Sequence, residues 1–253
     1  MKQLIWDVPT RLFHAAFAGS ILTAFALGKF ASEHSPLFVL HIFFGALAGV
    51  LLVWRVFWGL AGTKHVRFGA LLFSPARIVE YFSAVLKGRG QYFAGHNPGG
   101  SLSVWAMLAL AAVTVASGLS MGFLGETFEE IHEISSILLI GVAAVHVCGV
   151  LLASYMHQES YALAMITGKK AGQPSDAIQG SRMAAALVLS AAIGGIGLYI
   201  FQGLDLKNGS FTAPGTSFSI QFMENENETE NETESESENE AGGEEDDEDH
   251  DDD

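Results

Sequence analysis

Residues 131–155 read IHEISSILLIGVAAVHVCGVLLASY, an apolar run with a histidine at its start and another in its second half. As a helix rising 1.5 Å per residue, positions 134–155 extend about 33 Å, enough to cross roughly 30 Å of hydrocarbon. His132 and His146 are fourteen positions apart. That spacing turns a helix through about 1400°, so both rings fall within about 40° of one face and about 21 Å apart along the axis. Polar rings in hydrocarbon are costly and need partners. A single helix therefore offers two polar sites on one stripe, each near a different membrane surface.

Four further apolar runs, at 12–28, 37–60, 102–124 and 183–201, have comparable length. Five transmembrane helices are thus expected, an all-α integral membrane protein. Arg11 and His14 lie at and within the first run, and no small-residue cleavage site leads from it into a soluble domain, so it reads as an uncleaved span. Between the second and third runs, Ser74-Pro75 matches a cap followed by proline at the first helical position. Ile78, Phe82, Val85 and Leu86 then recur at helical spacing, predicting a helix in the membrane interface. The connection 157–182 has an apolar patch around Tyr161 to Ile166 and suggests a cover over one end of the bundle.

The formal charge of −15 misrepresents the membrane part, because 18 of the 28 acidic residues lie in 224–253, where no Lys or Arg occurs. The rest of the chain is slightly basic, and no nucleic-acid partner is expected. Segment 224–253 has too little apolar content for a core and is expected to be a disordered tail. Cys148, the single cysteine, excludes a disulfide framework, a four-cysteine metal site and covalent haem attachment through C-x-x-C-H. Eleven of the 13 Lys and Arg residues flank one set of span ends, and only Lys29 and Lys207 flank the other. The positive-inside rule then puts the amino terminus in the cytoplasm and the carboxyl terminus outside, with the connection bearing Glu126, Glu129, Glu130 and Glu133 also outside.

Antiparallel order sorts the intramembrane histidines by depth. His14 begins the first run at the cytoplasmic side, level with His146, while His41 begins the second at the outer side, level with His132. Two pairs at two depths suit two hexacoordinate haems stacked across the bilayer. Zinc would require more ligands than two per site. The alternative is a haem-free transporter that uses the histidines as a relay. Gly45 and Gly49 follow His41 at four-residue steps, and either clear a face for a porphyrin or form an ordinary G-x-x-x-G helix contact. Arg11 and Arg55 lie near the cytoplasmic span ends, where they either pair with haem propionates or serve as positive-inside anchors.

Several of these residues form a familiar ordered set. Trp6-Asp7-Val8-Pro9-Thr10-Arg11-Leu12-Phe13-His14, His41 with Gly45 and Arg55 to Gly59, Tyr92 with Gly95-His96-Asn97-Pro98-Gly99, and Ile131-His132-Glu133 with His146 together resemble the prokaryotic cytochrome b561 family, over roughly residues 4–170. The family includes cytochrome b subunits of nickel-iron hydrogenases. The resemblance implies a four-helix bundle with two b haems ligated at His14, His41, His132 and His146, moving electrons between the quinone pool and a partner. Such a partner would be a basic c-type cytochrome or a dehydrogenase. Alternatively, the chain would be the membrane anchor and electron conduit of a larger oxidoreductase such as a hydrogenase. A bacterial inner-membrane location follows. The chain then divides into a di-haem domain at 1–170, a connection with a fifth span at 171–206, and an external acidic disordered tail at 207–253.

Overall fold

A computed structural model describes residues 1–32, 35–124, 126–217 and 219–221. Five helices are long and apolar enough to cross a membrane: α1 (Val8–Phe30), α2 (Pro36–Ala61), α4 (Pro98–Leu124), α5 (Glu126–His157) and α7 (Met183–Gly203). Two shorter helices, α3 (Pro75–Leu86) and α6 (Tyr161–Thr167), lie in the connections.

Four helix starts share one local device. Asp7 Oδ1 accepts from the Thr10 amide at 2.8 Å ahead of α1, with Pro9 in its first turn. Ser35 Oγ caps α2 before Pro36, and Ser74 Oγ caps α3 before Pro75. Asn97 Oδ1 takes the Gly100 amide at 2.7 Å where α4 begins at Pro98. Each side chain satisfies an amide that the helix leaves open, while proline needs no such acceptor and already has helical φ.

Helices α1 and α2 form one antiparallel hairpin and α4 and α5 another, joined mainly through α2 against α4. α7 packs on α1 and α2 outside this four-helix bundle, where Leu189 joins Phe13 and Leu51 in one core cluster. The outward faces carry exposed Val53, Leu119, Val145 and Leu187. Apolar side chains pointing outward along long helices are what lipid tails cover, and the protein is a multi-pass membrane protein.

One end of the bundle, where α1 begins, is closed by a folded cap. Strand β1 (Lys2–Leu4) pairs antiparallel with β2 (Lys169–Ala171). The amides of Ile5 and Trp6 both donate to Gly168 O, Ile178 donates to Leu4 O, and Val8 to Ser181 O. His65 Nε2 lies 2.7 Å from Asp176 O, and Lys64 Nζ donates to Ser175 O at 3.0 Å. Ile5, Trp6, Trp58 and Val66 form the apolar centre beneath these bonds.

Two expectations need correction. The glutamates from Glu126 to Glu133 are not a loop, because α5 already starts at Glu126 and takes them into its first turns. Nor does an unstructured tail start at residue 207. Beyond α7, strands β3 (Leu204–Asp205), β4 (Ser210–Thr212) and β5 (Ser219–Gln221) form a small antiparallel sheet, with Asp205 accepting the Lys207 and Asn208 amides at its turn. The acidic segment 224–253 lies outside the described residues.

Candidate functional site

His41 on α2 and His132 on α5 face each other across the two hairpins, at the end away from the cap. Their ring centroids are 5.9 Å apart and their planes cross at 77°. His41 Nδ1 lies 2.7 Å from Ala24 O and His132 Nδ1 lies 2.8 Å from Thr114 O. A carbonyl only accepts, so the proton belongs on Nδ1 in both rings and each Nε2 keeps its lone pair. This is the arrangement of metal-ligating histidines, whose second nitrogen is held by a backbone carbonyl. An imidazole nitrogen binds a metal at about 2.0–2.1 Å, so two rings flanking one metal have centres on the order of 6 Å apart. The pair fits that separation. Among the described residues no three His, Cys, Asp or Glu side chains gather into a metal site.

His14, in the second turn of α1, and His146 on α5 are within electrostatic reach of each other near the cap. Around them the cap end collects polar atoms that are sealed from solvent and have no hydrogen-bond partner: Arg11 Nε, Trp54 Nε1, Arg55 Nη1 and His96 Nδ1. Arg55 is 7 % exposed, donates from Nη2 to Val66 O at 3.2 Å, and lies 5.0 Å over the Phe68 ring. Arg11 donates to Ile166 O at 2.5 Å. Arg55 is buried and Arg11 half-buried, and both are tied into protein with a donor to spare. Buried donors of this kind suit an anionic group such as a propionate.

The glycines separate. A Cβ added at Gly45 would meet nothing within 4 Å, whereas one at Gly49 would lie 3.0 Å from Val115 Cγ1 on α4. Gly49 makes the helix contact, and Gly45 leaves its face clear.

Three residues without an assigned role belong to this region. Asp7 is fully buried, taking Thr63 Oγ1 at 2.6 Å and Trp58 Nε1 at 3.3 Å in addition to its cap bond. Its place one residue before Val8-Pro9 was the available cap signal. His96 packs edge-on against Trp6 at 4.9 Å and bonds the backbone of His65. Burial, then the charges of Arg55, His146 and Lys170, push its imidazole down to about 3, so it is neutral. Lys170, also buried, donates to Phe93 O at 2.6 Å and lies over the Tyr161 and Tyr92 rings at 3.8 and 4.9 Å. Burial lowers its ammonium to about 8.

The family model of prokaryotic cytochrome b561 matches residues 5–168, from just after β1 through all four bundle helices to the Gly168 turn. Neither the curated proteins nor the solved structures compared with the chain match it. With close to two thirds of its length covered by that model, the chain belongs to the prokaryotic cytochrome b561 family.

Proposed function

We propose that this membrane cytochrome b carries electrons across the bilayer through two haems, one between His41 and His132 and one between His14 and His146. The electrons pass between the quinone pool and a redox partner on the outer side. The facing of His41 and His132, with both Nδ1 atoms committed to backbone carbonyls, is the observation that carries the reading. When bound, a haem held by two of these imidazoles would supply single-electron transfer rather than oxygen chemistry. The chain's own residues do the rest. The carbonyls of Ala24 and Thr114 hold the ring tautomers, Phe38 stacks on His41 at 5.2 Å and helps keep water away, and Arg55 and Arg11 offer donors to propionates at the cap end. The cap lies on the cytoplasmic side, since eleven of the 13 basic residues flank that end of the spans.

A pyridine haemochrome assay with a redox titration on the purified full-length protein tests this. Two haems b per chain are expected, with two resolvable midpoints. His41→Ala and His132→Ala should remove the same component, and His14→Ala and His146→Ala the other. Loss of different components within either pair overturns the pairing, and a haem-free purified protein overturns the function.

A further inference from the structure

Gly28 on α1 and Gly118 on α4 stand in the same relation to the outer histidines. A Cβ at Gly28 would lie 2.7 Å from His41 Nδ1 and 2.8 Å from its Cε1; one at Gly118 would lie 3.0 Å from both Nδ1 and Cε1 of His132. In each case the carbonyl that receives the ring belongs to the residue four positions earlier, Ala24 or Thr114. That offset has a physical cause. In a helix the carbonyl at position i already accepts the amide of i+4, and the side chain at i+4 leans back toward the N-terminus, over the turn that contains this carbonyl. With glycine at i+4 the second lone pair of carbonyl i is open from the side, and an imidazole from the neighbouring helix can reach it.

We infer that Gly28 and Gly118 are positioning residues which, with the carbonyls of Ala24 and Thr114, form two matched slots that set the tautomer and plane of His41 and His132. This rests on the proposed ligation of the outer haem by that pair. Elsewhere in the spanning helices a Cβ at Gly19, Gly45, Gly141, Gly149 or Gly194 would meet nothing within 4 Å, and the other described glycines that press on a histidine ring, Gly90 and Gly95, lie outside those helices. The second slot is braced further. Thr114 Oγ1 donates to Ser135 Oγ at 2.8 Å and Ser135 Oγ donates to His132 O at 3.2 Å, tying α4 to α5 one turn from the ring. Both slots leave Nε2 free, and together they cross the ring planes at 77°. Donation from Nδ1 to a carbonyl makes an imidazole a stronger ligand to ferric iron. Losing it should raise the midpoint of that haem.

The test compares Gly28→Ala, Gly118→Ala and, as a control on α7, Gly194→Ala in the full-length protein, alongside His41→Ala and His132→Ala. The readouts are haem content, low-temperature EPR of the ferric protein and the midpoint of each component. Crossed imidazole planes produce a strongly anisotropic low-spin ferric signal. Gly28→Ala and Gly118→Ala should shift or abolish that signal and raise the midpoint of the one component that His41→Ala removes, with the other component and the Gly194→Ala protein unchanged. Alanine favours helix over glycine, so weakening of the helices themselves does not account for such a loss. Slot variants with wild-type signal and midpoints, in a protein whose outer haem still requires His41, overturn this inference alone. Equal loss of both haems in the slot variants overturns it as well. Retention of both components in His41→Ala overturns the ligation and the inference together.

Discussion

Asp7 puts a carboxylate at 0 % exposure with three side-chain or backbone donors on it, from Thr10, Trp58 and Thr63. It caps α1, fastens α2 through Trp58 and holds the loop after α2 through Thr63. Replacing it by alanine removes a helix cap, leaves buried Thr63 Oγ1 without its acceptor and leaves Trp58 Nε1 only Thr10 Oγ1 at 3.2 Å, for a cost of about 2–4 kcal/mol. Thermal unfolding in detergent should show this for Asp7→Ala, with Asp7→Asn intermediate because the amide oxygen still accepts. His96 makes a different contribution. In the fold it stays neutral down to about pH 3, whereas in the unfolded chain it takes a proton near 6.5. Between those values the unfolded chain binds more protons, so this group's contribution to stability is lost as pH falls from 6.5 toward 3. The drop in melting temperature between pH 7 and pH 4.5 should therefore be smaller in His96→Gln than in the wild type. Equal drops would mean that the imidazole is not held neutral.

At the scale of elements, the two hairpins carry different loads. Each outer histidine is oriented by the other helix of its own hairpin, α1 for His41 and α4 for His132, while the pair itself forms between hairpins. Orientation is thus local and pairing is tertiary. α7 adds no histidine and packs outside, against α1 and α2. It carries the chain from the cap end to the small sheet β3–β5 at the opposite end. Reporter fusions at Lys170 and Lys207, on either side of α7, should therefore report opposite compartments, with Lys170 cytoplasmic. Reports from one compartment would show that α7 does not cross.

For the whole molecule the dominant asymmetry is charge. The basic residues cluster at the cap end, and 18 acidic residues follow the strands beyond α7 in 224–253. On the proposed orientation these acidic residues share a compartment with the outer histidine pair. A field of that sign raises the encounter rate with a positively charged carrier, and it is screened over a Debye length of about 8 Å at physiological ionic strength. Deleting 224–253 should slow electron exchange with a basic c-type cytochrome at low salt, leave both haem spectra unchanged and have no effect at high salt. Stopped-flow rates for the full-length and truncated proteins measure this, and equal rates at low salt would remove any steering role.

The spans, their caps at Ser74 and the family itself were legible in the sequence, because helix length, apolar content and capping chemistry are local properties of a short window. The fourteen-residue spacing of His132 and His146 was equally legible, since helical rotation depends only on residue number. What surrounds those residues was not. The clear face at Gly45 and the packed one at Gly49 look alike in a G-x-x-x-G pattern, and only the approach of Val115 from α4 separates them. Arg55 reads as an anchor or as a ligand until the loop carrying Val66 and Phe68 folds over it. Gly28 and Gly118 have no motif of their own, because their role exists only once another helix brings a ring to within contact of the missing Cβ. Helix formation depends on neighbours in sequence, whereas ring orientation depends on which backbone carbonyl a second helix leaves uncovered, and that is decided only by tertiary packing.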